Sequence, residues 1–228
     1  RNRVDSACCT MVSSPSDPVA AAREAMVEHQ LRRRGIRDER VLDAMGRVPR
    51  HLFVPESKRA EAYADRPLPI GYAQTISQPL MVATMLEALE LVGGEMVLEV
   101  GAGSGYQAAV LGTLARSVIA LEIVPELVEQ GRGNLSAAGI DNVEVRLADG
   151  GLGLVDEGPF SAIVVAAGAP VVPPPLVGQL APGGRLVIPV DDGWGQMLTR
   201  IRRAEDGTTT TERLGGCAFV PLTGAHGR

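Results

Sequence analysis

The chain has 228 residues, of which 45% are hydrophobic and 21% charged, and its formal net charge is −5. That length fills one good core and is too short for two, and the composition is that of a globular domain rather than a disordered or fibrous chain. The acidic balance excludes an electrostatic footprint for nucleic acid, and no apolar run approaches the length of a membrane span.

Residues 1–18 are rich in small and polar side chains, and residues 1–25 lack the basic, then apolar, then cleavage-site order of a secretory signal. The expected disordered leader is placed at 1–23. Helical patterning begins near Ala20, with Met26, Val27 and Leu31 on one face and Gly35 suited to end the helix. The basic run Arg32-Arg33-Arg34 is short and is followed by Asp38 and Glu39, so it reads as a solvated helix face. Asp38 then caps a second short helix carrying Val41, Leu42 and Met45. Pro49 and Pro55 punctuate the segment after that helix. The stretch 66–79 has two early prolines, a glycine and several small or polar side chains. It reads as an ordered loop leading into an apolar helix over 80–89.

From residue 95 the pattern alternates. Apolar runs at 96–100, 117–122, 143–148, 162–166 and 185–190 are separated in several places by helical stretches, at 105–115, 125–138 and 173–180. Strand and helix in alternation predict an α/β fold, a doubly wound Rossmann-like sheet with helices on both faces. More polar strands at 197–203 and 209–214 bring the sheet to about seven strands, and a last short stretch follows at 218–220. The expected organisation is one domain over 24–228. It comprises a helical extension and loop (24–90), a ligand-binding core (91–190) and C-terminal strands (191–228).

Val97-Leu98-Glu99-Val100 is a buried strand that runs into Gly101-Ala102-Gly103-Ser104-Gly105, and a helix starts at Tyr106. A strand, a glycine turn and a helix N-terminus let a ligand lie against bare backbone at the carboxyl edge of a sheet. A dinucleotide fingerprint would need glycine at 106, where tyrosine stands, and no Gly-Lys-Ser/Thr of a phosphate loop is present. Gly-x-Gly-x-Gly after an acidic strand, here carrying Glu99, suits S-adenosylmethionine (SAM). Glu122 ends the next apolar strand, where an acid takes both ribose hydroxyls in a bidentate hydrogen bond. Asp149, followed by Gly150, ends the strand after that and is placed to meet an adenine amino group. Three successive strand ends therefore carry ligand-type residues on one edge.

With the loop before the fold added, the sequence resembles the protein-L-isoaspartate (D-aspartate) O-methyltransferase family. The carrying segments are Gln74-Thr75-Ile76-Ser77-Gln78-Pro79, the glycine loop, Asp149-Gly150, the run from Pro159 to Pro170, Leu180-Ala181-Pro182-Gly183-Gly184, and the closing Phe219-Val220-Pro221-Leu222-Thr223-Gly224. Together they span roughly residues 24–224. The resemblance implies methyl transfer from SAM, as cosubstrate, to the free α-carboxylate of L-isoaspartyl and D-aspartyl residues in damaged proteins or peptides. The resulting ester collapses to a succinimide, which begins repair. It also implies that Ser77 is the catalytic contact to the substrate carboxylate, and that Thr75 and Thr223 lie near SAM or help close the site. Ala73 stands where many relatives have glycine.

The implied chemistry is sound for these residue types. A carboxylate is ionised at neutral pH and needs no general base, so the enzyme chiefly holds oxygen, methyl carbon and sulfur in line and excludes water. His29, His51 and His226 read as surface or structural, and no spacing suggests a metal. The seven methionines read as core or leader. Trp194, flanked by glycines, sits on a loop and either packs or touches a bound peptide. Two alternatives stay open: methylation of a chosen carboxylate in a dedicated peptide or protein partner, and a non-catalytic SAM or nucleotide binder. Cys8 and Cys9 are adjacent and Cys217 is remote, which fits a reducing compartment. The expectation is a cytoplasmic monomer acting on isoaspartate-containing proteins or peptides, with neither nucleic acid nor membrane as partner.

Overall fold

A computed structural model describes residues 17–227; most of the expected leader therefore lies outside the described residues. The first helix, α1 (Pro18–Ala25), starts inside the stretch expected to be leader. Asp17 caps it by accepting from the Val19 amide, and Pro18 occupies the first turn, where its missing N–H costs nothing. The turns then widen over Met26–Leu31, tighten over Arg32–Arg34, and stop at Gly35 with φ 108°. Only glycine adopts that angle without strain. Asp38 caps α2 (Glu39–Arg47) as expected, through its side chain and the Arg40 amide, and α2 buries Val41, Leu42, Ala44 and Met45.

The stretch expected to be a loop is partly regular. Strands β1 (Leu68–Gly71) and β2 (Gln74–Ile76) form an antiparallel hairpin with Leu68 opposite Ile76 and Pro69 opposite Thr75. Its two loop residues, Tyr72 and Ala73, both have positive φ, 52° and 56°. That geometry matches the twist of a tight hairpin, but its usual signal is Asn-Gly or Asp-Gly. Tyr-Ala gives no such signal, which is why the hairpin was illegible in the sequence. Helix α3 (Pro79–Leu89) comes next.

The main sheet is built from β3 (Met96–Val100), β4 (Ser117–Glu122), β5 (Val143–Leu147), β6 (Phe160–Val165), β7 (Leu180–Asp191), β8 (Gln196–Arg203) and β9 (Thr209–Cys217). Their spatial order is β5-β4-β3-β6-β7-β8-β9. The first five are parallel, and β8 runs antiparallel to both its neighbours. Helices α4 (Tyr106–Leu114), α5 (Pro125–Ala137) and the short α6 (Pro174–Gly178) supply crossovers. Residues 218–220 form no strand of their own; Pro221 makes a single bridge to Gly168 instead.

Alternation along the strands divides the core in two. Val97, Val118, Ala120, Ala162 and Val164 face the layer that holds the buried residues of α2, α3, α4 and α5. Leu98, Val100, Ile119, Leu121, Ile163 and Val165 face the other way, against Leu176 of α6 and Leu222 of the tail. Helices thus cover both faces, unevenly. The two faces together leave β3 buried on both sides, as a central parallel strand requires. The order of strands reverses at β3 and β6, and the crevice at that switch is open at the carboxyl edge.

Candidate active site

The glycine turn fills this crevice. Gly101 and Ala102 both donate backbone N–H bonds to the Leu121 carbonyl, at 2.9 and 3.0 Å, which ties the turn to the end of β4. Gly101, Gly103 and Gly105 all have positive φ, at 88°, 54° and 87°. At Gly105 a side chain would also crowd α5, with the Gly131 carbonyl 3.3 Å from the added carbon. That glycine serves the packing of α4 on α5 and does not line the cleft. The other two do.

The cleft holds a cavity of about 90 Å3. It brings together Thr75 and Ser77 of the hairpin segment, Glu99, Gly101, Gly103, Glu122, Gly150 and the tail residue Thr223. Eight of the ten expected ligand residues thus share one cavity; Gly105 and Asp149 lie behind its wall.

Glu122 is buried and held by three backbone amides. Gly103 donates to one oxygen at 2.8 Å, and Ile123 and Val124 donate to the other at 2.8 and 3.0 Å. An ionised carboxylate has about four acceptor positions, so capacity remains for a ligand. Glu99 is the opposite case. It is fully buried, and neither of its oxygens has a hydrogen-bond partner. Burial, opposed by the nearby Gln107 amide and reinforced by the Glu122 charge, holds its carboxyl well above the usual carboxylate range. The Gln107 Nε2 is itself buried without a hydrogen-bond partner. Two orphan acceptors on a cavity wall are a costly arrangement unless a ligand supplies donors.

Asp149 accepts from the Gly151 amide at 3.0 Å with one oxygen and from the Ala225 amide at 2.7 Å with the other. Its carboxylate thereby ties the C-terminal tail to the end of β5. The same tail is fixed from the other side by Gln196, whose amide both accepts from the Phe219 N–H at 2.7 Å and donates to the Phe219 carbonyl at 3.2 Å. These bonds hold Val220–Thr223 against the cleft.

Ser77 is half-buried and Thr75 exposed. Among the cleft-lining residues the titratable side chains are Glu99, Glu122 and Tyr106. Burial pushes the Tyr106 phenol up to about 12, so it stays neutral at physiological pH. The cavity therefore holds two acids and several hydroxyls, and no histidine, lysine or cysteine lines it.

Sequence reasoning missed Arg50, Gln107 and Gln196. Arg50 is completely buried between Pro49 and Pro55 in a short turn over Arg50–Phe53, and bonds the Ser77 carbonyl at 2.7 Å. Its signal was an arginine in the run Val48–Pro55, where His51 is the other polar residue. Gln196 and Gln107 carried none, because an amide in a strand or a helix start is ordinary. Trp194, left between packing and contact, is 99% exposed at the β7–β8 turn and therefore does not pack.

A seven-stranded Rossmann-like sheet with a glycine turn and strand-end acids around one carboxyl-edge cleft defines a SAM-dependent methyltransferase fold. The family model described as protein-L-isoaspartate (D-aspartate) O-methyltransferase matches residues 21–227, and the chain belongs to that family of enzymes. A protein-L-isoaspartate O-methyltransferase of Geobacter metallireducens is 53% identical over 206 residues, 90% of this chain and 95% of that protein. One from Marinobacter nauticus is 55% identical over 206 residues, 90% and 94% of the two chains. Among solved structures, a Plasmodium falciparum chain described as a member of this family, in complex with S-adenosyl-L-homocysteine, superposes with a TM-score of 0.77 at 29% identity. The match covers 88% of this chain and 98% of that one.

Proposed function

We propose that this enzyme transfers the methyl group of SAM to the free α-carboxylate of L-isoaspartyl, and D-aspartyl, residues in damaged proteins or peptides. The observation that carries the reading is the make-up of the cleft. It offers a buried acid with two unpartnered oxygens beside hydroxyl groups, and no histidine, lysine or cysteine lines it. Methyl transfer to an amine, an alcohol or a carbon acid profits from a base. Transfer to a carboxylate does not, because the nucleophile is already ionised.

The roles follow from charge and position. Glu99 takes the ammonium of the methionine moiety, the only strongly cationic donor in SAM that a buried carboxylate can hydrogen-bond. Glu122 takes the ribose hydroxyls with its remaining lone pairs. Gly101 and Gly103 let the ligand lie on backbone, and the adenine fits beside Gly150, whose loop Asp149 holds from behind the wall. Ser77 donates to the substrate carboxylate and aligns it, while Thr75 and Thr223 flank the transferring methyl. A neutral hydroxyl orients the nucleophile without draining its charge. The carboxylate oxygen forms the new bond to carbon as the carbon–sulfur bond breaks, and S-adenosylhomocysteine departs neutral at sulfur. The peptide nitrogen next along the substrate then displaces methanol to give the succinimide.

Trp194 and Tyr72 support a polypeptide substrate. Tyr72, 54% exposed, lies two residues before Gln74 on the cleft wall, and Trp194 tips the β7–β8 turn at the carboxyl edge. Asp192 pins that turn by accepting from the Trp194 and Gly195 amides. The protein is taken to act as a cytoplasmic monomer, on proteins or peptides rather than nucleic acid or membrane. Among the described residues no helix is long and apolar enough to cross a membrane.

The test is a paired assay with labelled SAM and two peptides that differ only in an isoaspartyl or a normal aspartyl linkage. Label should enter the isoaspartyl peptide alone; equal labelling of both overturns the reading. Ser77→Ala should then lower turnover by about 10- to 100-fold, the worth of one hydrogen bond to a charged group, with SAM affinity nearly unchanged.

A further inference from the structure

Arg50 is a complete cation in the core with no ion-pair partner among the described residues; Asp65 acts on it only from beyond ion-pair distance and is itself paired with Arg34. The Arg50 side chain is fully buried. Its Nε donates to the Ala62 carbonyl and its Nη2 to the Ser77 carbonyl, each at 2.7 Å, and its Nη1 has no partner. The guanidinium carbon sits 4.7 Å from the centre of the Tyr106 ring, and that ring lines the cleft. Burial lowers its proton affinity, with the two nearby phenols and Asp65 opposing, yet a guanidinium remains charged in any protein environment. An unpaired buried charge is expensive, and an apolar side chain of similar volume would hold this position at less cost if packing were the only requirement.

The arrangement has a use in the reaction proposed above, on which this inference rests. The incoming substrate is an anion, and it must enter a cleft whose wall carries the Glu122 carboxylate. A cation directly on the carboxylate would attract it but would weaken it as a nucleophile. A cation one layer back attracts without touching. Arg50 lies behind both walls, contacting the acceptor segment through the Ser77 carbonyl and the cofactor side through the Tyr106 face. We propose that Arg50 is the positioning residue of the acceptor segment and the resident counter-charge for the substrate carboxylate. It fixes Ser77 through the backbone and supplies positive potential through Tyr106, and it makes no bond to the substrate.

Two functions predict two separable defects. Arg50→Lys keeps the charge and loses the fork that spans Ala62 and Ser77. Arg50→Met keeps the approximate volume and loses both. Binding is read by competition between an isoaspartyl peptide and its neutral carboxamide analogue, in the presence of S-adenosylhomocysteine. Turnover is read with the isoaspartyl peptide and SAM. For Arg50→Met the preference for carboxylate over carboxamide should shrink at least tenfold, while S-adenosylhomocysteine affinity changes less than threefold. For Arg50→Lys the preference should stay within threefold of wild type while turnover drops at least tenfold. A merely structural role does not move the ratio of two ligands that differ only in charge.

The inference is overturned if Arg50→Met keeps the wild-type preference, or if its losses in peptide and S-adenosylhomocysteine affinity are equal. Should Arg50→Met fail to fold, Arg50→Lys decides: turnover within threefold of wild type, or a collapsed carboxylate preference, overturns the inference. The underlying reading fails differently, by equal labelling of aspartyl and isoaspartyl peptides by the wild-type enzyme.

Discussion

Replacing Glu99 by Gln should move two properties in opposite directions. In the ligand-free enzyme the folded state holds the Glu99 proton more tightly than the unfolded chain does, where the carboxyl has its ordinary value near 4.5. Folding therefore takes up a proton, and stability falls as pH rises above that value until the folded carboxyl also ionises. The slope over this range approaches about 1.4 kcal/mol per pH unit, the limit for one proton. Glu99→Gln keeps the shape and removes the titration. The ligand-free variant should be more stable than wild type at pH 8, and less dependent on pH. SAM affinity moves the other way. A buried charge deprived of its partner costs about 3–5 kcal/mol, and about 1.4 kcal/mol corresponds to a tenfold change in Kd. Part of that is offset in wild type by the work of ionising Glu99, so a loss of about 100-fold is expected. Calorimetric titration with SAM at several pH values, in buffers of different ionisation enthalpy, should also detect proton release on binding to wild type and none on binding to the variant. 5′-Methylthioadenosine, which lacks the ammonium, should bind both alike. SAM binding within threefold of wild type refutes the assignment of Glu99 to the ammonium, and a ligand-free variant less stable than wild type at pH 8 refutes the upward shift of its carboxyl.

Three further outcomes rest on particular residues. Ala73 sits at φ 56°, where a non-glycine residue is strained by roughly 1–2 kcal/mol; after the greater unfolded freedom of glycine, Ala73→Gly should gain about 0.5–1 kcal/mol and raise Tm by roughly 1–3 °C. A fall in Tm contradicts the strain argument. At Gly224, with φ 109°, an added carbon would sit 2.4 Å from both Asp149 carboxylate oxygens, so Gly224→Ala should loosen the tail and weaken SAM binding by about tenfold, with faster proteolysis near the C-terminus. Unchanged SAM affinity would separate the tail from the cofactor site. Trp194→Ala should leave Tm nearly unchanged because the indole touches little, yet raise KM about five- to tenfold for decapeptides and hardly at all for a minimal isoaspartyl tripeptide. Equal KM changes for both lengths would remove Trp194 from peptide contact.

The sequence alone determined whatever depends on neighbours along the chain. Apolar runs separated by helical periods specified the five parallel strands within a few residues, because side-chain direction repeats every two residues in a strand and every 3.6 in a helix. The place of Glu99, Glu122, Gly101 and Gly103 along one cleft wall was legible for the same reason: each is fixed by its position near a strand end. The hairpin of β1 and β2 was not, since its turn is held by left-handed backbone at Tyr72 and Ala73 rather than by residues that prefer it. Nor did position along the chain reveal that Asp149 spends one bond on the tail amide of Ala225, or that Gln196 clamps Phe219. Those pairings link residues 76 and 23 positions apart. Only the folded chain decides them, because a carboxylate or amide is committed by which donors the packing brings within 3 Å of it. Arg50 is the clearest case. As a residue in a row it is an arginine between two prolines; as a buried cation bonded to the Ser77 carbonyl, it joins the helical extension to the Ser77 side of the cleft.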